Sequence, residues 1–400
     1  MVVLMDGVAD RPFAGLAGKT PLEAARTPNL DRLCAAGALG TLRTGAPGLP
    51  MGSDVGNMSV LGYDPRQYYS GRAPFEALAQ GVKMDKGEIA FRANLVHVAD
   101  GVMDDYSAGH MSTEDGRDLI KVLEKSLGGP KLRFVGGVQY RHLAMFKGSA
   151  FEGAKCTPPH DITGKPIEEY LPKGGGGKEL RQIMEDSRLI LEGHEVNRER
   201  RRAGKKTGNM VWFWGQGKAV AMPAFAARWG LKGSVITAVD LMRGLAKATG
   251  LEVIEVPGAT GWIDSNFKGK AEAALKALAK KDFVYIHMEA TDEAGHKGDA
   301  AAKVRAIELI DEVVVAALEQ GLRGQDWRML VTPDHATPLE ARTHTDEAVP
   351  YFIYDSRQNG DGAGAKARYT EATARAAGKH FENGWELMAE FLQRQPAAKA

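Results

Sequence analysis

Only two of the 400 residues are cysteine, Cys34 and Cys156. That is too few for a disulfide framework, allows at most one bridge and lacks the spacing of a thiolate metal site, so a reducing cytoplasm is expected. Charge of one sign is also lacking. Lys and Arg number 52 against 51 Asp and Glu, which leaves no electrostatic case for nucleic acid or an anionic membrane surface as partner. No window approaches the roughly 18 uninterrupted apolar residues of a membrane span. The opening Met1-Val-Val-Leu-Met-Asp6 reaches an acid too soon for a signal peptide. The same stretch gives a first strand of Val2 to Met5 only, against a usual length of about 5–6 residues, implying a natural start slightly upstream. No internal repeat is visible.

What is present is a long chain with alternating texture. Four hundred residues exceed what one core usually serves, so two domains or a large insertion are expected. A helix from about Pro28 to Ala36 follows the first strand, with Thr27 as N-cap and Gly37 as its stop. Later runs at Gly233–Val239, Phe283–His287, Arg328–Thr332 and Val349–Tyr354 read as strands. The first two are followed by helical patterns at about 240–249 and 299–319. Strands alternating with helices predict an α/β fold around a mostly parallel sheet covered on both faces.

Between about 73 and 220 the texture changes. Strands are expected at Ala90–Val98, Leu132–Val138 and Leu143–Phe146, then a Pro/Gly-rich loop from Cys156 to Gly177 and one charged helix from Lys178 to about Arg202. This stretch, 73–220, reads as a smaller α+β domain inserted into a catalytic domain made of 1–72 and 221–400. The glycines 174–177 and the basic run Arg198–Lys206 fit a flexible linker and a solvated helix end better than a phosphate or nucleic-acid site. Residues 397–400 read as a frayed tail.

Chemistry-bearing residues gather at strand ends, where open α/β sheets place ligands. Asp292 and His296, spaced i and i+4 after the strand ending at His287, can aim a carboxylate and an imidazole at one cation. Alone, that spacing also fits an N-cap aspartate with an incidental histidine. Asp334 and His335 follow the strand Arg328–Thr332, His344 lies in a polar loop before Val349, and Asp6 ends the first strand. Their concentration points to a metal site. Gly52-Ser53 opens a further helix, where Ser53 is either a nucleophile or an N-cap; the metal set favours the nucleophile, because a serine alkoxide at neutral pH needs a cation.

Together, Met5-Asp-Gly, the block Met51-Gly-Ser-Asp-Val-Gly-Asn-Met-Ser-Val-Leu-Gly-Tyr-Asp64, the Asp292/His296 pair, Thr332-Pro-Asp-His335 and His344-Thr with Val349-Pro350 resemble the cofactor-independent phosphoglycerate mutases of the archaeal type, in the alkaline phosphatase superfamily. Lys19–Asn29, Trp214–Gly217 and Val256–Gly261 extend the resemblance over nearly the whole chain.

The resemblance implies two divalent cations, Mn²⁺ or Mg²⁺, one on Asp292, His296 and His344 and one on Asp6, Ser53, Asp334 and His335. It also implies attack of Ser53 on 3-phosphoglycerate and return of the phosphoryl group from phosphoserine to the 2-hydroxyl of glycerate. In the insert, His110 resembles the family's proton-shuttling histidine, and Arg141, with its neighbour His142, could clamp a carboxylate or phosphate.

Longer bacterial members carry Ser-Glu-Val-Gly-His where this chain has Ser53-Asp-Val-Gly-Asn57, so a histidine is lost here. A homoserine-kinase-like phosphotransferase or phosphatase on a small alcohol shares the metal set. A non-catalytic metal-dependent binder of phosphate ligands would need the cations but not Ser53.

Overall fold

A computed structural model describes residues 1–358 and 367–397; the tail expected to fray lies outside these beyond Ala397. The chain divides into two compact units, Met1–Tyr69 with Met222–Ala400, and Ser70–Ala221.

Strands β1 (Val2–Met5) and β2 (Ala38–Leu42) come first. The middle of the chain supplies β3 (Glu88–Ala99), β4 (Val102–Asp105), β5 (Leu132–Val138), β6 (Arg141–Lys147), β7 (Ala154–Lys155), β8 (Lys173–Gly174) and β9 (Met210–Lys218). Then come β10 (Gly233–Ile236), β11 (Glu252–Ile254), β12 (Phe283–Met288), β13 (Arg328–Thr332), β14 (Val349–Asp355) and β15 (His380–Phe381).

The first unit is built on an eight-stranded sheet in the order β11-β10-β12-β1-β13-β14-β2-β15. All its pairings are parallel except those of β14, which runs against both β13 and β2. Val3, Met5, Ile286, Met288 and Val331 face one core, packed against Leu30, Leu33, Ala271, Ile307 and Val314. Their neighbours Val2, Leu4, Tyr285 and Leu330 are equally buried on the opposite face. A sheet covered on both faces explains why these strands are continuous apolar runs rather than alternating ones.

The second unit has an antiparallel sheet in the order β4-β3-β6-β5, with β9 also paired to β3. Phe91, Leu95, Phe146 and Phe213 pack there against Leu119 and Leu123 of the helix Thr113–Leu127 and Leu180 and Met184 of the helix Gly177–Glu192.

Three local expectations are corrected. The charged helix from Lys178 is two helices, Gly177–Glu192 and Glu195–Arg202, because Gly193 ends the first and the His194 side chain caps the second by accepting from the Val196 N–H. Thr27 precedes the helix Pro28–Ala35, but its side chain does not cap it. The buried Asp311 carboxylate takes that place, accepting from the Leu30 N–H at 2.7 Å. Asp311 lies in a π-helical turn, Ile310–Val315, interrupting the helix expected over 299–319. Both cysteines are free thiols, Cys34 buried and Cys156 half-buried. No helix among the described residues is long and apolar enough to cross a membrane.

Candidate metal centre

Adjacent strands β12, β1 and β13 deliver the acids. Asp6 follows β1, its N–H bonded to the Met288 carbonyl at 2.9 Å. Asp292 lies inside the first turn of the helix Ala290–Lys297 after β12, so it is not the N-cap, and Asp334 follows β13. The three residues are 2%, 6% and 0% exposed. Between them the chain must come very close: Gly7 has φ +58°, and a Cβ there would lie 2.4 Å from Asp292 Oδ1. Only glycine tolerates both demands.

Asp292, His296 and His344 form one ligand-like group. His296 Nε2 lies 3.2 Å from Asp292 Oδ2, His344 Nε2 lies 3.7 Å from Asp292 Oδ1, and the two Nε2 atoms are 3.0 Å apart. Their partners dictate the tautomers. His296 Nδ1 donates to the Arg342 carbonyl at 3.0 Å and His344 Nδ1 to the Met51 carbonyl at 3.3 Å. Both Nε2 atoms therefore face inward, toward each other and a carboxylate, and with His296 deprotonated both would offer lone pairs to a shared cation.

A second group joins Asp6, His335 and the same Asp292. His335 Nε2 is 3.4 Å from Asp6 Oδ1, 3.4 Å from Asp334 Oδ2 and 3.1 Å from Ser53 Oγ. Thr337 gives its hydroxyl proton to Asp292 Oδ1 and faces His335 Nδ1 at 3.2 Å, so Nε2 again carries the lone pair. Asp6 Oδ1 is buried without a hydrogen-bond partner, a state that costs free energy unless a cation meets it. These residues fit divalent ions that accept oxygen and imidazole donors, and the absence of thiolates argues against soft metals.

The electrostatics agree. Burial, then the charges of Asp334, Asp292 and Glu289, push the Asp6 carboxyl well up. Burial and the Asp292 charge push Asp334 up to about 7. Burial opposes a proton on His296, but the hydrogen bond and charge of Asp292 outweigh it and raise that histidine to about 9. Burial holds His335 and His344 down to about 4, hence neutral and able to ligate. The pocket favours positive charge.

Ser53 is the first residue of the helix Ser53–Val60, with Gly52 as N-cap, so Ser53 does not itself cap the helix. Its hydroxyl instead meets His335 Nε2 at the start of that helix.

The second unit holds the other two expected site residues. His110 is exposed, in a left-handed backbone conformation (φ +48°). Arg141, exposed at the start of β6, stacks over Tyr140 at 5.6 Å. Its neighbour His142 is buried instead, accepting from the Gly137 N–H, and burial holds it down to about 3.

The sequence reading missed several supporting side chains. His287 Nε2 lies 2.8 Å from Asp6 Oδ2, and Asn57 donates to Asp334 Oδ2 at 2.6 Å. In the second unit Arg92 is buried against the Trp214 ring at 4.3 Å and paired with Glu76 at 3.1 Å. His287 and Arg92 sit inside β-runs, where sequence alone gives no sign of polar duty. Asn57 stood out only as a missing histidine.

The comparisons agree with one another. The model of the family described as 2,3-bisphosphoglycerate-independent phosphoglycerate mutase matches residues 34–197. A protein of that name from Methanothrix thermoacetophila is 51% identical over 358 residues, 89% of this chain and 90% of that one. Among solved structures, a protein from Pyrococcus horikoshii superposes with TM-score 0.80 at 29% identity, covering 100% of this chain and 98% of its own. A cofactor-independent phosphoglycerate mutase from Thermoplasma acidophilum gives 0.64 at 28% identity, covering 98% of each. An acid and imidazole cluster at parallel strand ends, with half-identical relatives aligned over most of their length, leads to one conclusion: this chain belongs to the family of 2,3-bisphosphoglycerate-independent phosphoglycerate mutases.

Proposed function

We propose that the chain interconverts 3-phosphoglycerate and 2-phosphoglycerate through a phosphoserine at Ser53, on an alkaline-phosphatase-like catalytic unit with the second unit as its substrate-binding lid. The observation that carries this is the uncapped Ser53 hydroxyl, 3.1 Å from His335 Nε2 and beside the buried acids. A protein that merely bound phosphate would gain nothing from a serine held there.

Asp292, His296 and His344 would hold one divalent ion, and Asp6, Asp334, His335 and Ser53 the other, with Asp292 close to both. Mn²⁺ or Mg²⁺ suits the donors, and the imidazoles favour Mn²⁺. When bound, the ions lower the pKa of the Ser53 hydroxyl and offset charge on the phosphoryl oxygens.

Ser53 Oγ gives up its proton and forms a bond to phosphorus as the bond to the 3-oxygen of the substrate breaks, and that oxygen takes up a proton. The glycerate then presents its 2-hydroxyl, which loses a proton as it takes the phosphoryl group and frees Ser53 Oγ, which regains a proton. His110 is the group we assign to carry that proton, and Arg141 the group that holds the substrate's anionic end. Closure is essential, because water reaching phosphoserine would make the enzyme a phosphatase. The free thiols fit a cytoplasmic setting.

The test supplies purified protein with Mn²⁺ and 3-phosphoglycerate, without ATP or 2,3-bisphosphoglycerate. Phosphorus NMR should show 2-phosphoglycerate, and peptide mapping of quenched enzyme should place phosphate on Ser53. Free phosphate as the main product, or turnover only with ATP and homoserine, would overturn the proposal.

A further inference from the structure

We infer that Asn57, keyed by Tyr285, is a positioning residue that couples the Ser53 helix to Asp334. This rests on the proposed role of Ser53 and goes beyond it by naming what sets the distance between nucleophile and metal ligand. The Asn57 side chain is fully buried. One of its Nδ2 protons goes to the Ser53 carbonyl at 2.8 Å and the other to Asp334 Oδ2 at 2.6 Å. Its Oδ1 accepts from the Tyr285 hydroxyl at 2.6 Å. Both donors and the acceptor are thus committed, to three different elements: the nucleophile's helix, the loop after β13, and strand β12.

The direction of each bond is fixed. The Ser53 carbonyl and the Asp334 carboxylate only accept, so the NH2 end of Asn57 must face them, and its Oδ1 is left to meet the Tyr285 hydroxyl, which gives it a proton. A flipped amide would set Oδ1 against both acceptors, losing both bonds. With its Oδ1 held by Tyr285, Asn57 keeps its hold on Asp334 Oδ2, which fixes the rotation of that carboxylate.

The approach that makes this reach available is built into the backbone. A Cβ at Gly56 would lie 2.3 Å from the Asp334 carbonyl oxygen, so the helix sits against the loop as only glycine allows.

The experiment measures Mn²⁺ affinity by titration calorimetry, with kcat and KM for 3-phosphoglycerate, in wild type, Asn57→Ala, Tyr285→Phe and the double variant. Loss of a partner that orients a ligand costs about 10–100-fold in metal affinity or activity. Asn57→Ala should therefore weaken one of two Mn²⁺ sites by about that factor and lower kcat more than it changes KM. Tyr285→Phe should do the same in smaller measure. Because Tyr285 acts through Asn57, the double variant should bind Mn²⁺ no more weakly than Asn57→Ala alone. Additive losses, or variants whose melting temperature falls while both Mn²⁺ affinities stay at wild-type values, would overturn the inference. Metal titration keeps this separate from the proposed reaction: a wild type that binds Mn²⁺ but lacks mutase activity sinks the reaction and leaves the positioning role to be judged on affinity.

Discussion

Asp334→Asn should make the metal-free protein more stable and the enzyme useless. In the native fold this carboxyl is fully buried, with Asp6 and Asp292 as neighbours, and is pushed up to about 7 from an ordinary 3.8. A group whose native pKa is raised contributes its full stability below the unfolded value and loses it as pH climbs through the native one. Chelated wild type therefore carries a penalty that grows between about pH 4 and 7. Three pKa units amount to roughly 4 kcal/mol as a ceiling.

Asparagine removes the charge, and its carbonyl can still accept from Asn57. Its NH2 would then face the Gly7 N–H, which now donates to Asp334 Oδ1 at 3.2 Å, and one unmet bond costs about 1–3 kcal/mol. The balance is a variant slightly less stable than wild type near pH 4 and more stable by roughly 1–3 kcal/mol at pH 8, both in chelator. Adding Mn²⁺ should reverse the order at pH 8, since ligand at about a thousand times its Kd stabilises wild type by about 4.1 kcal/mol and does not stabilise a variant that has lost that site. Urea unfolding at several pH values, with and without Mn²⁺, reads all of this. A chelated Asp334→Asn protein less stable than wild type at pH 8, or one with wild-type Mn²⁺ affinity, would refute the reasoning.

Ser53→Ala should fold and still bind metal yet lose at least about 10³-fold in kcat, because the covalent route is gone; steady-state kinetics with elemental analysis decides it. Asp292 belongs to both ligand-like groups, so Asp292→Ala should lose both ions, whereas His344→Ala should lose one, as metal stoichiometry will show. Burial holds His142 down to about 3. Its contribution is therefore intact above about pH 6.5 and lost as pH falls from there toward 3, at no more than about 1.4 kcal/mol per pH unit. In His142→Asn the urea midpoint should fall less steeply over that acid range.

The acids of the candidate site were legible because Asp6, Asp292 and Asp334 each come shortly after a recognisable β-run, with histidines close by in sequence. The surroundings were not. His287 and Tyr285 occupy a strand whose burial on both faces hides any alternation, so a polar residue there reads as one more β-former. The cap on the helix Pro28–Ala35 comes from Asp311, 281 residues away from the N–H it meets, and no local pattern could displace the plausible Thr27. The reversed direction of β14 was equally hidden, because an apolar run carries no arrow. The break at Gly193-His194 was visible in principle, since glycine followed by a capping side chain is a stop and a start, but the charged run around it masked the signal.

The order of strands explains why acids so distant in sequence can share ions. β1 lies between β12 and β13, and neighbouring strands run about 4.8 Å apart. Residues following the carboxyl ends of three parallel neighbours therefore converge to within a few ångströms, with Asp6 in the middle, Asp292 on one side and Asp334 on the other. Both outer loops turn back over the central one, which is why Gly7 must be small and why Asp6 keeps one oxygen for His287 and leaves the other unpaired. Three carboxylates so close would repel one another out of any fold that could relax. Here each is held by a backbone turn and a buried donor, so the repulsion remains as a standing demand for positive charge. The same rigidity that lowers metal-free stability is what presents a preformed negative charge pattern that a cation would satisfy.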